Sequence, residues 1–160
     1  MSFNYSENYY NQLQEGQKFQ DYCAYVLQTK LSIGVINFQS KEYQFKFGEN
    51  MQGVEFKFDN LFQNTGNLWI EVEERTNPEL NYSNSGILRK DNSWLYCIGD
   101  YRVLYIFSKK FLANLYNSKR YEVIENNLMT SKGFLLPKTD ADKYSAYKIE
   151  NEEITNESSN

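Results

Sequence analysis

Two segments in the middle of the chain alternate apolar and polar residues with a period of two, the spacing of a β-strand with one buried face. They span residues 53–59 and 67–75. The apolar positions are Val54, Phe56 and Phe58 in the first segment and Leu68, Ile70 and Val72 in the second. The positions between them carry Glu55, Lys57 and Asp59 in the first segment and Trp69, Glu71 and Glu73 in the second. Each strand is therefore expected to carry carboxylates on the face opposite its apolar side chains.

Helical spacing occurs on both sides of these strands. Residues 8–31 form an amphipathic pattern in which Phe19, Cys23 and Val26 share one face. A second helix is predicted over residues 109–119, after Ser108 as its N-cap. A final helical turn or two is predicted after Pro137, with Thr139 or Asp140 as the cap.

Further strands are predicted from short apolar runs bounded by turn residues. One hairpin joins residues 33–38 to 43–47 through a turn at 39–41. A second joins residues 94–98 to 101–107 through Gly99-Asp100. A short strand covers 133–136, and residues 60–66 and 81–86 are expected to be loops. This order of elements predicts an α+β or mixed α/β fold with a central mixed sheet.

The length of 160 residues is consistent with one domain, which we place at residues 1–150. Residues 151–160 are polar and acidic, and we expect them to form a frayed tail. Cys23 and Cys97 lie in apolar segments without metal-binding or disulfide spacing. The start of the chain lacks the pattern of a signal peptide, and no apolar run reaches membrane-spanning length. These features predict a cytoplasmic protein that does not enter a membrane.

The charge and the residue types present limit the chemistry. The formal net charge is −4, which argues against a large phosphate-binding surface. It does not exclude a nuclease, because part of that charge can belong to metal ligands. The chain contains no histidine, which excludes Ser-His-Asp catalysis, Cys-His catalysis and histidine-ligated zinc. Any catalysis must therefore rely on carboxylates, lysine or tyrosine.

The alternating strands supply the strongest candidate site. If they are neighbours, Glu55, Asp59, Glu71 and Glu73 converge around Lys57, and four carboxylates form a cage for Mg²⁺ or Mn²⁺ with an amine beside it. The alternative is that these charges only keep a solvent-facing side of the strands soluble. Crowded carboxylates on neighbouring strands repel one another, and a bound cation would compensate that repulsion.

The order of elements, the triplet Glu55-Phe56-Lys57 and the segment LWIEVEER at residues 68–75 resemble the PD-(D/E)XK superfamily of restriction-endonuclease-like nucleases. The segment that begins at Ser85-Gly86-Ile87 also resembles the region after the family's motif. The resemblance covers residues 10–148. It implies a central mixed sheet flanked by helices and Mg²⁺-dependent cleavage of DNA.

The resemblance allows two placements of the acidic motif. In one, Glu55-Phe56-Lys57 is the E-x-K triplet, and Glu49 or the first-helix residue Glu15 completes the site. In the other, which we favour from the sequence, Glu55 or Asp59 is the upstream acid. Glu71-Val72-Glu73 then fills the D/E-x-K position, Glu73 replaces the usual lysine, and Lys57 supplies the amine.

We therefore expect a Mg²⁺-dependent DNA endonuclease, associated with a phage or mobile element, and a homodimer would suit cleavage of both strands. Arg89-Lys90 is a candidate contact to the DNA backbone. The first alternative is a nuclease fold without catalysis that binds nucleic acid or protein as an inhibitor or regulator. A second alternative is a hydrolase of small phosphate esters that uses the same carboxylates.

Overall fold

The computed structural model describes the backbone of residues 5–151 and the side chains of residues 13–151. Most of the predicted tail thus lies outside the described residues. The helices are α1 (Tyr5–Leu31), α2 (Lys41–Phe47), α3 (Phe62–Thr65), α4 (Lys109–Asn117) and α5 (Lys138–Tyr144). The strands are β1 (Val54–Phe58), β2 (Asn67–Glu74), β3 (Ser83–Asn84), β4 (Leu95–Gly99), β5 (Val103–Ser108), β6 (Val123–Glu125), β7 (Ser131–Pro137) and β8 (Tyr147–Glu150). The predicted α+β class is confirmed.

The strands form two four-stranded sheets. The first has the order β1-β4-β5-β8 and is mixed, because β1 runs parallel to β4 while the other pairs are antiparallel. The second has the order β3-β2-β7-β6 and is antiparallel throughout. The sequence predicted one sheet, but β2 pairs with β7 and β3, so β1 and β2 belong to different sheets.

Two apolar clusters hold the layers together. Helix α1 covers the first sheet, where Phe19, Cys23 and Leu27 pack against Val54 and Phe56. The second cluster joins the two sheets and the helices α4 and α5. Its buried members are Phe62, Leu68, Ile70, Val72, Ile87, Tyr96, Ile98, Val103, Tyr105, Phe107, Leu112, Phe134, Leu136 and Ala141. Because Val54 and Phe56 pack against α1, the alternation of β1 places Glu55 and Lys57 on the opposite face of this edge strand.

The predicted hairpin of residues 33–38 and 43–47 is wrong. Residues 41–47 form helix α2, and the first segment contributes only an isolated bridge from Asn37 to Asn50. Ser40 caps the helix by accepting a hydrogen bond from the Tyr43 N–H, and Gly48 ends it at a φ of 110°. These local signals at both ends outweigh the short alternation of aromatic residues between them.

Smaller differences lie at sheet edges and helix ends. Strands β3, β6 and β8 were not predicted, and all three are edge strands whose side chains are mostly exposed. Strand β3 lies within the predicted 81–86 loop, β6 has only three residues, and the alternation of β8 is only four residues long. Helix α3 occupies part of the predicted 60–66 loop. Helix α5 begins directly after Pro137, so neither Thr139 nor Asp140 is its cap. The β4–β5 hairpin and the Ser108 cap of α4 are confirmed.

Candidate functional site

Lys57 lies at the centre of a partly buried charge network between the two sheets. Its Nζ atom is 3.5 Å from Glu55 Oε1 on the same strand and 3.2 Å from Glu71 Oε1 on β2. The Glu55 side chain is 2% exposed and that of Lys57 is 30% exposed. The structure therefore brings together three of the five predicted site residues and places an ammonium group between two carboxylates.

The carboxylate of Glu71 is satisfied by hydrogen bonds. Ser85 Oγ donates to Oε1 at 2.7 Å, and Ser131 Oγ donates to Oε2 at 2.9 Å. Burial works to raise the pKa of Glu71, but the Lys57 ammonium and the two hydroxyl groups outweigh it, so the pKa lies below its ordinary value. Glu71 is thus a fixed anion whose acceptor positions are already in use.

A second buried lysine extends the network on the other side of Glu55. Lys109 Nζ lies 3.4 Å from Glu55 Oε2 and 3.0 Å from Asp91 Oδ1. It also donates to the carbonyl oxygen of Arg89 and to Ser93 Oγ. This role of Lys109 was not predicted from the sequence. One signal was present, since a lysine in the first turn of a helix opposes the helix dipole and needs a compensating anion.

Asp59 and Glu73 are engaged elsewhere. Asp59 Oδ1 accepts a hydrogen bond from Leu61 N at 3.1 Å and Oδ2 accepts one from Trp69 N at 2.8 Å, so this side chain fixes the connection between β1 and β2. Glu73 Oε2 lies 3.5 Å from Lys132 Nζ in a surface ion pair. Within residues 13–151, no three acidic, cysteine or histidine side chains are grouped to hold a metal ion. The four predicted carboxylates therefore do not form one cage in the structure.

A cleft of about 960 Å³ opens beside β1, between α1 and α2. Lys57 lines this cleft together with Glu49, and Glu15 lies at its α1 side. Its other polar lining residues are Gln17, Gln20, Lys41, Gln44, Asn60 and Arg89. Glu55, Glu71 and Glu73 do not line it, and Glu55 is buried. The cleft thus assembles residues of the Glu55-Phe56-Lys57 placement, in which Glu49 or Glu15 completes the site.

Glu49 and Glu55 act on each other as neighbouring anions. Glu49 Oε2 accepts a hydrogen bond from Phe56 N at 2.9 Å, which ties it to the edge of β1. Burial and then the charge of Glu55 raise the pKa of Glu49 to about 7. Burial also raises the pKa of Glu55, although the two lysines oppose that shift. Protonation or a cation would relieve the repulsion between this pair.

Carboxylate oxygens, the ligand type that Mg²⁺ prefers, are supplied by Glu49, which lines the cleft, and by Glu55, which is buried between the two lysines. Neither buried oxygen of Glu55 accepts a hydrogen bond, because both ammonium groups stand at 3.4–3.5 Å, beyond ordinary charge-assisted hydrogen bonds. Mg²⁺ is commonly bound by one or two carboxylates, with water and substrate phosphate completing its coordination. Glu49 and Glu55 are therefore the residues that could hold such a cation.

Comparisons of this chain with protein-family models, with curated proteins and with solved structures find no match. Among the helices of the described residues, none combines the length and the apolar character needed to cross a bilayer.

Proposed function

We propose that this protein is a metal-assisted nuclease of the restriction-endonuclease-like type and that it hydrolyses DNA phosphodiester bonds in the cleft beside β1. The observation that carries the proposal is the lining of that cleft, where the carboxylate of Glu49 and the ammonium of Lys57 lie with the cationic side chains of Lys41 and Arg89. Acids, an amine and phosphate-binding cations in one open site are what phosphodiester hydrolysis requires.

The roles follow from position. Arg89 and Lys41 bind the phosphate groups on either side of the bond that is cut. Glu49, together with the buried Glu55, would hold Mg²⁺ or Mn²⁺, and such an ion would polarise the phosphate and lower the pKa of the attacking water. Lys57 Nζ donates a hydrogen bond to a non-bridging phosphate oxygen and stabilises the charge that develops there. Water adds to phosphorus as one P–O ester bond breaks, leaving a phosphate end and a hydroxyl end.

Glu71 acts as a positioning residue in this proposal. Ser85 and Ser131 fix its carboxylate, and the carboxylate in turn fixes Lys57 Nζ. An ammonium held in place before the substrate arrives requires little reorganisation during the reaction. The second sheet therefore contributes to the site through Lys57 rather than by contact with the substrate.

The test is cleavage of a supercoiled plasmid and a single-stranded DNA circle with Mg²⁺, with Mn²⁺ and with EDTA. We expect metal-dependent cleavage by the wild type and at least a 100-fold loss in Glu49→Gln, which keeps the shape of the side chain and removes its charge. Glu73→Gln is the matched control, because Glu73 forms a surface ion pair, and it should cleave like the wild type. Equal rates in both variants would contradict the proposal.

A second function is favoured by the position of Lys57. Its ammonium already compensates Glu55 and Glu71, so the charge network is balanced without a substrate or a metal ion. Such a protein would bind nucleic acid or another protein as an inhibitor or regulator. DNA binding without cleavage under any of the metal conditions would support this alternative and exclude the nuclease.

A further inference from the structure

Helix α2 forms an aromatic ridge at the edge of the cleft. None of its seven residues is buried. Tyr43 is 54% exposed, Phe45 is 75% exposed and Phe47 is 42% exposed, and Phe45 is the most exposed large apolar side chain in the described part of the chain. Such exposure costs free energy in water unless a ligand covers the rings. Most helices in proteins are stabilised by the packing of an apolar face, whereas α2 buries none of its side chains.

Polar contacts hold this ridge in position. Ser40 and Gly48 cap the helix at its two ends. Gln44 Nε2 donates to the Phe38 carbonyl oxygen, and Asn92 N donates to the Phe47 carbonyl oxygen. The helix is therefore anchored through its backbone and its polar side chains. Tyr43 also packs against Phe38 and Phe47, while Phe45 remains exposed to a ligand.

Cations surround the ridge. Lys41 and Lys46 lie on α2, and Arg89 and Lys90 lie beside it, with the Arg89 guanidinium 5.1 Å from the centre of the Phe45 ring. Within residues 13–151, none of these four side chains forms an ion pair, whereas several other lysines and arginines do. The chain as a whole has a net charge of −4. These four cations outnumber Glu42, the one acidic residue of α2, so the ridge is locally basic in an acidic protein.

Resting on the proposed function, we propose that the ridge binds single-stranded DNA and that an unpaired base stacks on Phe45. Exposed aromatic rings interleaved with lysine and arginine are the recurring surface for single strands, because the rings stack on bases while the cations contact phosphates. Phe45, Lys41 and Arg89 line the same cleft as Lys57. A strand held on α2 would thus lead its backbone into the cleft.

The charge distribution and the exposure of the Phe45 ring favour this ligand over the two obvious alternatives. An apolar protein partner would leave the four cations without anionic groups to meet them. A duplex would offer its phosphates to those cations, but its bases are stacked inside the helix and cannot cover Phe45. Single-stranded DNA supplies both the phosphates and an accessible base.

The experiment is a fluorescence-anisotropy titration of labelled 15-nucleotide oligo(dT), a 15-base-pair duplex and oligo(rU), all in EDTA so that no cleavage occurs. We expect the wild type to bind oligo(dT) at least tenfold more tightly than the duplex. Phe45→Ala should weaken oligo(dT) binding by about 5- to 150-fold, the range for loss of one base–aromatic stack. Phe45→Trp should retain the affinity, because an indole ring also stacks.

Tyr25→Ala is the matched control, because Tyr25 is 65% exposed on α1 and does not line the cleft. This variant should bind oligo(dT) like the wild type. Tighter binding of the duplex or of oligo(rU), absence of oligo(dT) binding, or equal affinities of wild type and Phe45→Ala would overturn the inference. The titration contains no metal, so it measures binding separately from cleavage. If the protein cleaved DNA in the plasmid assay but bound oligo(dT) no more tightly than the duplex, only this inference would be refuted. Oligo(dT) binding that depends on Phe45 without any cleavage would refute only the proposed nuclease activity.

Discussion

Replacing Lys57 by methionine removes the charge that compensates two carboxylates and keeps most of the apolar stem. At an effective dielectric constant of about 20, an ion pair at 3.2 Å, the distance from Lys57 Nζ to Glu71, has a Coulomb energy of roughly 5 kcal/mol before desolvation is subtracted. Removing one partner of a buried pair typically costs about 3–5 kcal/mol, because the other charge remains uncompensated. The Lys57 side chain is 30% exposed, so we expect the lower end, about 3 kcal/mol.

The matched control is Lys132→Met. Lys132 Nζ lies 3.5 Å from Glu73 Oε2, the same distance that separates Lys57 from Glu55, but Glu73 is about one third exposed whereas Glu55 is buried. Surface pairs of this kind contribute about 0–1 kcal/mol. The same substitution therefore compares a lysine that faces buried carboxylates with one in a surface pair, and the contact of Lys132 Nζ with the Tyr82 ring, 4.1 Å from its centre, is also removed in the control.

The assay is urea unfolding at pH 7, followed by circular dichroism. A loss of about 3 kcal/mol corresponds to a fall in Tm of roughly 6–12 °C for a chain of this size. Folding lowers the pKa of Glu71, so its ionised carboxylate stabilises the wild type at pH values above the ordinary glutamate pKa. This stabilisation is lost as the pH falls through the ordinary pKa and then through the folded-state pKa. The difference in free energy of unfolding between wild type and Lys57→Met should therefore become smaller below about pH 4. If Lys57→Met and Lys132→Met lost the same small free energy of unfolding, or if that difference did not depend on pH, the proposed role of Lys57 in the network would be refuted.

Three other predictions concern stability. The pKa of Glu49 is raised to about 7, so the wild type should lose stability as the pH rises from about 4.5 to 7. In urea unfolding at several pH values, the free energy of unfolding of Glu49→Gln should depend less on pH. The same pH dependence in the variant and the wild type would contradict the raised pKa. Asp59→Asn should cost about 1–3 kcal/mol in the same assay, since one oxygen cannot replace two that accept from backbone N–H groups. In calorimetry, Gly86→Ala should lower the Tm by several degrees, because Gly86 has a φ of 47° and a Cβ there would lie 2.3 Å from the Glu71 carbonyl oxygen. The control is Gly16→Ala in helix α1, where a Cβ meets no neighbouring atom, so its Tm should be unchanged or higher.

The sequence predicted the elements whose periodicity reports their burial. Strands β1 and β2 alternate because one side of each packs into an apolar cluster, and the helical spacing of Phe19, Cys23 and Val26 corresponds to the buried face of α1. Helix α2 was predicted as a strand because its aromatic residues alternate, yet that alternation does not reflect burial. Strand β6 is an exposed edge of three residues without a periodic signal, and the alternation of β8 covers only four mostly exposed residues.

The candidate site was partly accessible to the same reasoning. The sequence identified Glu55, Lys57 and Glu71 as charged positions on alternating strands, and the structure brings them together. It did not indicate that β2 pairs with β7 rather than β1, because strand pairing depends on segments distant in sequence. The contact of Lys109 with Glu55 joins residues 54 positions apart and has no local pattern.

The most direct test of the central claim is calorimetric titration of Mn²⁺ into the wild type, Glu49→Gln and Glu73→Gln at pH 8, where the Glu49 carboxyl of the wild type is largely ionised. We expect Mn²⁺ to bind the wild type and Glu73→Gln with similar affinity and to bind Glu49→Gln at least tenfold more weakly. Loss of Mn²⁺ binding in Glu73→Gln with unchanged binding in Glu49→Gln would instead indicate that the carboxylates of β2 bind the metal ion. Absence of binding in all three would contradict a cation site at Glu49 and Glu55.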